Sequence, residues 1–317
     1  MLNLVDLVDN EEKTITIDEL RDLKLHNVWL DVKDPTDEEI RALADKIDIS
    51  KNLIKPTELP TFSSIRLVED TAIFYFSSFS GEFDLKMLSL IAIVFTKTYI
   101  ITVRIADIPA FDKTKGSLHK AETDSPSYVL YVLLDEIIKN YFSYVEIVDG
   151  HSSHLEEIIL EKPSEDVLKE IIELKSKLTS FNRLLWYERS VLYVLKRSTL
   201  PFITDRMKNY LDELIDDLTK QIDSISIFRE VLTDATNSYR AAVSLQLSVR
   251  IEKLSDIVKI LTALTVLVAI PTLIFTYYGQ NFPLQEFKSV EFSYILTIAT
   301  FILSLFMVFV FKKKGWI

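Results

Sequence analysis

The sequence predicts an α/β domain, then a long helical stalk, then two C-terminal helices long enough to span a membrane. Three observations lead to this fold class. Apolar segments of strand length recur in the first hundred residues, no glycine lies between His151 and Tyr278, and two uncharged apolar segments end the chain. Turn-rich folds use more glycine than this, so the second half is expected to be long helices.

Residues 1–125 are expected to form the α/β domain. Strands are predicted at 28–32, 65–68, 72–77, 88–95 and 99–103, where β-branched and aromatic residues cluster. A helix is predicted to open after Pro35, with Thr36 or Asp37 as its N-cap. The later strands are apolar nearly throughout, which is typical of a sheet covered by helices on both faces.

Residues 126–258 are expected to be helical. Helices are predicted over 127–161, with a possible bend at Gly150, and over 164–197, and a third follows Pro201. This third helix carries a heptad seam with one polar gap, Gln221. The seam consists of Leu211, Leu214, Leu218, Gln221, Ile225, Phe228, Leu232, Ala235, Tyr239, Ala242 and Val249. No break signal separates it from the first membrane segment.

Residues 259–317 are expected to form the membrane domain. The first span is predicted at about 260–278, an external loop at 279–291, the second span at about 292–311 and a tail at 312–317. Both spans approach the roughly 20 apolar residues that cross a bilayer. The alternative is a pair of buried core helices. The acidic N-terminus lacks the apolar stretch of a signal peptide.

Charge is distributed unevenly along the chain. Residues 259–317 carry five basic and two acidic side chains, whereas residues 1–258 carry 31 basic and 45 acidic ones. Basic residues flank the two spans on their outer sides, and the loop between them holds Glu286 and Glu291. The positive-inside rule therefore predicts a multi-pass plasma-membrane protein with both termini in the cytoplasm.

The overall composition excludes several classes of protein. Hydrophobic residues make up 48 % of the chain, cysteine is absent and the net charge is −11. A disordered or disulfide-stapled chain, a zinc finger and a thiol enzyme are thereby excluded. The acidic balance argues against a nucleic-acid partner. No glycine-rich phosphate loop or nucleophile elbow is present, so neither an enzyme nor a cofactor is expected.

A polar stripe follows the first span. Its threonines are spaced by 3, 7 and 4 residues, which places them on one helical face. The stripe consists of Ser255, Val258, Leu261, Thr262, Thr265, Ala269, Thr272 and Thr276. Such a stripe can join helices together. It can also line a pore formed by several copies of the helix.

The span ends at Gly279, Gln280 and Asn281. Glycine permits a positive φ or a close approach of chains at a helix end. Helix-end carbonyls carry partial negative charge, and the Asn281 amide adds an oxygen acceptor. This turn is therefore a candidate outer site for a hydrated divalent cation such as Mg2+.

These C-terminal motifs resemble the CorA family of divalent-cation transporters. The resemblance rests on 271–273 (Pro-Thr-Leu), 278–282 (Tyr-Gly-Gln-Asn-Phe), 259–262 (Lys-Ile-Leu-Thr) and the basic end with Trp316. It implies a homopentamer in which the first membrane helix lines the pore. It further implies transport of Mg2+, with Co2+ or Ni2+ as surrogates. Cytoplasmic Mg2+, bound by carboxylates between subunits, would stabilise the closed form.

The chain departs from the family pattern at Gln280, where the family has Met, and at Ser255, where many members have Asn. Relatives similar to ZntB vary the same middle residue and are associated with Zn2+, so Zn2+ is an alternative cargo. Candidate carboxylates for the regulatory metal are Glu82 and Asp84, facing Asp216, Asp217 or Asp223. A solvated acidic face is the alternative for each of them.

Two further alternatives come from other residues. His151 and His154, near Glu156 and Glu157, have spacing that can bind Zn2+, but an exposed helical face is the favoured interpretation. The heptad seam and acidic body also suit a membrane-anchored coiled-coil scaffold that transports nothing. That interpretation leaves the threonine stripe and the Gly-Gln-Asn turn unexplained.

Overall fold

A computed structural model of the protein describes residues 1–9, 11–55, 62–80, 85–118, 125–161, 163–280 and 290–316. The chain forms two compact units, Met1–Tyr239 and Arg240–Ile317. Glu82, Asp84, Asn281 and Glu286 lie outside the described residues.

The first unit contains a mixed seven-stranded sheet in the order β2-β1-β3-β7-β6-β5-β4. The central β3 and β7 are parallel, and the other neighbours are antiparallel. The strands are β1 (Leu2–Asp6), β2 (Glu12–Ile15), β3 (Val28–Lys33), β4 (Ile65–Val68), β5 (Thr71–Phe79), β6 (Leu88–Phe95) and β7 (Tyr99–Arg104).

Helices cover both faces of this sheet, as the apolar strands predict. Helices α1 (Ile17–Asp22) and α2 (Asp37–Ile47) each begin at a threonine whose side chain accepts from the N3 backbone, a capping box. They pack with one face of the strands in a first apolar core. The other face packs against α3 (Pro109–Leu118) and the helices that follow, in a larger core.

Three long helices complete the larger core. They are α4 (Pro126–Glu161), α5 (Glu165–Arg197) and α6 (Asp205–Gly279), and α4 continues through Gly150. The heptad residues of α6 up to Ala235 are buried in this core or packed against it. The polar Gln221 is also buried, and its Nε2 donates to the Ile138 carbonyl of α4 over 3.0 Å. The seam is therefore used within the chain, which weakens the coiled-coil scaffold interpretation.

Strands β1 and β2 and helices α1 and α3 were not predicted from the sequence. Strand β2 reads Glu-Lys-Thr-Ile, with three exposed residues, so its apolar signal is weak. Strand β1 is short, but Leu2 and Leu4 are buried because β1 lies between β2 and β3. Tertiary pairing rather than local composition makes these segments strands.

The second unit contains the C-terminal part of α6 and α7 (Val290–Lys313). Both helices are long and apolar enough to cross a membrane, and only 6 % of each apolar window is buried. They are therefore not core helices of this chain. Two residues after the end of α7, Gly315 has a φ of +69°, which suits glycine, and the ring of Trp316 stacks on that of Phe311 with centroids 5.6 Å apart.

Candidate functional site

One face of the apolar part of α6 is covered. Ala263 is fully buried, and the Tyr278 ring lies 5.8 Å from the Phe292 ring of α7. Half-buried residues recur every three or four positions between them, at Val266, Leu267, Ile270, Pro271 and Ile274. On α7, Thr300 is buried in a similar row. Small residues such as Ala263 and Thr300 are typical of the packed faces of membrane helices.

The polar stripe lies on the opposite side of α6. A helix turns by about 100° per residue, which places Thr265, Thr272 and Thr276 roughly half a turn from Ala263, Ile270 and Ile274. All members of the stripe are exposed in the single chain, namely Ser255, Val258, Leu261, Thr262, Thr265, Ala269, Thr272 and Thr276. Contact with α7 therefore does not account for the stripe.

Two stripe hydroxyls have a defined orientation. Thr265 Oγ1 donates to the Leu261 carbonyl over 2.8 Å, and Thr272 Oγ1 donates to the Val268 carbonyl over 2.7 Å. A hydroxyl has one proton and two lone pairs, so each of these oxygens can still accept. The oxygens are thus suited to contact a cation or the waters around one.

The stripe also borders a concave surface with a volume of about 970 Å³. Thr265, Ala269, Thr272, Thr276 and Gln280 line it together with neighbouring apolar residues of α6. Pro271 lies within this segment and has no N–H to donate to the carbonyl four residues earlier. The hydroxyls of Thr265, Thr272 and Thr276 therefore lie along one concave surface.

Gly279 is the last residue of α6. It has no positive φ, and a Cβ added there would meet nothing within 4 Å. A positive φ is therefore not the reason for this glycine. Close approach of a second copy remains a prediction. Gln280 is exposed beside it, and Glu291 is exposed in the first turn of α7.

The candidate regulatory acids on α6 differ in their surroundings. Asp216 and Asp223 are exposed, whereas Asp217 is half-buried and pairs with Lys220 at 2.7 Å. The hydrogen bond to Asp217 raises the pKa of Lys220. Within the described part of the chain, no group of three or more His, Cys, Asp or Glu side chains is arranged to hold a metal ion.

The histidines of α4 do not converge on a metal site within the described residues. His151 Nε2 lies 2.9 Å from Glu170 Oε1 of α5, and His154 is exposed. This contact joins α4 to α5 and fits the favoured interpretation of an exposed helical face.

Sequence reasoning missed a buried carboxyl, Glu188 of α5. Its exposure is 0 %, and burial raises its pKa to about 8. A signal was present, since Phe181, Leu185, Glu188, Leu192 and Leu195 are spaced by 4, 3, 4 and 3 residues. A single acid in an apolar row of a helix indicates a carboxyl that faces the core.

The whole chain is similar to known divalent-cation transport proteins. The cobalt/magnesium transport protein CorA of Methanocaldococcus jannaschii is 29 % identical over 307 residues, which cover 92 % of this chain and 91 % of that protein. The CorA magnesium transporter structure from the same organism has a TM-score of 0.67 at 23 % identity and covers 100 % of this chain and 99 % of that one.

A solved ZntB cytoplasmic domain from Vibrio parahaemolyticus has a TM-score of 0.63 at 13 % identity. It covers 76 % of this chain and 97 % of that one, and at this identity the likeness concerns the fold alone.

The family described as CorA-like Mg2+ transporter protein matches residues 24–313, which include both units and both apolar helices. This is a family of transporters and not of enzymes. The match covers most of the chain, and the protein therefore belongs to the CorA-like Mg2+ transporter family.

Proposed function

We propose that the protein is a homopentameric channel through which hydrated divalent cations, foremost Mg2+, cross the plasma membrane. The pore is lined by the polar stripe of α6, from Ser255 to Thr276. Gly279, Gln280 and Asn281 form its outer mouth, near the loop acids Glu286 and Glu291. The observation that carries this proposal is the position of the stripe, which faces away from α7 in a chain of this family.

The chemistry of the stripe favours Mg2+ over Zn2+. Mg2+ gives up its waters reluctantly and prefers oxygen ligands. Zn2+ is bound by imidazole and thiolate ligands as well as carboxylates. Residues 255–317 contain neither histidine nor cysteine, and the stripe presents hydroxyl and carbonyl oxygens. Co2+ and Ni2+, which also carry octahedral water shells, are expected as surrogates.

The orientation follows from charge. Basic residues precede the first span and follow the second, so both termini and the acidic body are assigned to the cytoplasm. The acidic body, with 31 basic and 45 acidic residues per copy, raises the local cation concentration when copies assemble. We assign regulatory Mg2+ binding to Glu82 and Asp84 of one copy with Asp216 and Asp223 of the next. Asp217 must first release Lys220 to join them.

Flux through reconstituted protein tests the function. Proteoliposomes containing an internal Mg2+ indicator are expected to show Mg2+ uptake, with Co2+ and Ni2+ competing more strongly than Zn2+. The assay is run with and without a pH gradient, which reports whether protons are coupled to transport.

A matched pair of variants ties the flux to the outer mouth. Asn281→Ala is expected to abolish uptake, whereas Asn237→Ala, at an exposed position of α6 in the first unit, is expected to conduct normally. Absence of divalent flux from the parent protein, or parental flux through Asn281→Ala, would contradict the proposal.

A further inference from the structure

Strand β5 extends past the end of its partner β4, and side chains from two helices pair with the backbone of the part that extends. Strand β4 pairs with β5 only as far as Phe74, and the Tyr75 N–H then donates to the Ser64 carbonyl. At Ser77 the backbone N–H donates to Glu188 Oε1 of α5 over 2.8 Å. The Ser77 carbonyl accepts from the Tyr141 hydroxyl of α4. Glu188 and Tyr141 together thus satisfy the N–H and C=O that a neighbouring strand would pair.

The donors and acceptors in this cluster indicate where a proton resides. Tyr141 Oη also lies 2.9 Å from Glu188 Oε1. The tyrosine has one proton, and the Ser77 carbonyl can only accept. When the tyrosine donates to Ser77, the proton between Tyr141 and Glu188 must come from the carboxyl. A neutral Glu188 therefore completes a chain from Glu188 to Tyr141 to the Ser77 carbonyl, whereas an ionised Glu188 competes for the tyrosine proton.

No charged group among the described residues balances an ionised Glu188. Ser63 Oγ lies 3.5 Å from Oε1, and Oε2 is buried without a partner among the described residues. Burial raises the pKa of Glu188, and the hydrogen bonds that Ser77, Tyr141 and Ser63 can donate to its ionised form lower the pKa only in part. The same burial raises the pKa of Tyr141, the titratable group that faces Glu188 from α4.

The nearby arginines of α5 contact other groups. Arg183 lies over the Phe62 ring at 5.7 Å. Arg189 lies over Trp186 at 4.0 Å and donates to Thr219 of α6. Strand β5 and the segment before β4 face the carboxyl with Ser77 and Ser63, neither of which titrates.

The cluster lies at the end of β5, the strand that precedes the candidate regulatory acids Glu82 and Asp84 in the sequence. Phe79, at the end of β5, contacts Tyr141, Tyr144 and Phe181 with ring centroids 5.3 to 6.1 Å apart. Glu82 and Asp84 follow within five residues along the chain. Two cavities of about 500 and 260 Å³ flank the cluster, one bordered by Ser63 and the other by Ser77. The strand that Glu188 contacts is therefore the one that leads along the chain to the candidate sensing acids.

We propose that Glu188 is a proton-binding residue that holds α5 and α4 on the end of β5, and that loss of its proton loosens this contact as the cytoplasm becomes alkaline. The ligand is the proton itself. The device gives the acidic cytoplasmic unit a response to pH that is separate from divalent-cation binding.

Hydrogen exchange of the full-length protein in detergent tests this inference, with Glu188→Gln as the variant and Glu173→Gln as the control. Glu173 lies on the same helix, but its side chain is 69 % exposed and pairs with Lys177. After correction for intrinsic rates, protection of β5 in the parent is expected to fall with pH between 5 and 8. The fall should reach about tenfold per pH unit relative to Glu188→Gln, because one proton separates the closed and open states. The control should follow the parent.

Infrared spectroscopy of the parent provides a measurement that does not depend on the folding of a variant. A protonated carboxyl band should persist at pH 6 and 7 and disappear with a midpoint near pH 8. Identical pH profiles for the parent and Glu188→Gln, or no protonated carboxyl at pH 6, would overturn the proposal. Neither readout involves flux, so failure here is distinct from failure of the channel function.

Discussion

The two units of this chain bury their apolar residues to very different extents. In Met1–Tyr239, two apolar cores enclose aromatic side chains such as Trp29, Phe74 and Phe181 at 0 % exposure. In Arg240–Ile317, large apolar side chains such as Leu273 and Phe301 are 71 % and 66 % exposed, and Ala263 is a rare buried residue. The first unit is stabilised by its own core.

The difference shows what the second unit requires from outside the chain. Exposed apolar surface of this size marks contact with lipid or with other protein. The Thr265 and Thr272 hydroxyls of the polar stripe donate to carbonyls of their own helix, but hydrocarbon offers no donor to their free lone pairs, so a stripe that faces lipid still carries a cost. Contact with lipid would cover the exposed apolar faces, and contact with further copies of the chain would surround the polar stripe.

The largest expected effect is the difference in the free energy of unfolding between a Phe→Ala substitution in the first unit and one in the second. Phe181→Ala removes a fully buried ring from the first unit and should destabilise it by about 3–5 kcal/mol. Phe301→Ala removes a ring of the second unit that is 66 % exposed and should leave unfolding of the first unit unchanged. Thermal and chemical denaturation of the full-length protein measure both. Equal effects of the two substitutions would refute the contrast between the units.

The next effect is a pH dependence confined to the first unit. The pKa of Glu188 is about 8 in the folded protein, against 4.5 as the ordinary value. Between pH 5 and 7 the unfolded chain therefore releases a proton that the folded chain retains. The free energy of unfolding therefore falls by up to about 3 kcal/mol as the pH rises from 5 to 7. The loss is complete above pH 8.

Glu188→Gln should remove this part of the slope and be more stable than the parent at pH 7. Denaturant titrations of both proteins at pH 5, 6 and 7 measure it. A parent slope no steeper than that of the variant would exclude the contribution of Glu188.

A smaller effect distinguishes the two sides of the membrane helices. Thr272→Val removes an exposed oxygen of the stripe and should reduce Mg2+ flux by roughly tenfold, the value of one lost hydrogen bond of about 1.4 kcal/mol. Thr300→Val removes a hydroxyl on the buried row of α7 and should leave flux near the parental level. Uptake by proteoliposomes with matched protein content compares them. Greater sensitivity at Thr300 would reverse the assignment of the two faces.

The smallest expected effect on stability is at Gly279. Its added Cβ meets nothing within 4 Å, so Gly279→Ala should change unfolding by less than about 0.5 kcal/mol. Flux should nevertheless fall, because the proposed assembly brings copies of the helix together at the outer mouth. Parental flux in this variant would remove close approach as the reason for the glycine.

Local patterns were sufficient to predict much of the fold. Strands β3 and β5–β7 have long apolar runs, and the proline-free stretch after Pro201 indicated a continuous α6. Strand β2 could not be recognised, because only Ile15 of its four residues is buried and its pairing with β1 decides its structure. The capping box of Thr16 and Glu19 was a usable signal for α1.

The candidate site divides in a similar way. The threonine spacing predicted a shared face of α6, since helical periodicity is local. That this face lies opposite α7 depends on tertiary packing and needed the structure. The Glu188 cluster joins residues up to 125 positions apart in sequence, so spacing can indicate a buried acid but not its contacts with Ser77, Tyr141 and Ser63.

Cysteine accessibility tests the assignment of the ion pathway most directly, because the native chain has no cysteine. Thr272→Cys places a thiol on the stripe, and Ile274→Cys places one on the side covered by α7. A water-soluble thiol reagent is expected to block Mg2+ flux through the Thr272→Cys protein and to leave the Ile274→Cys protein conducting. Block at Ile274→Cys with none at Thr272→Cys would contradict a pore lined by the polar stripe.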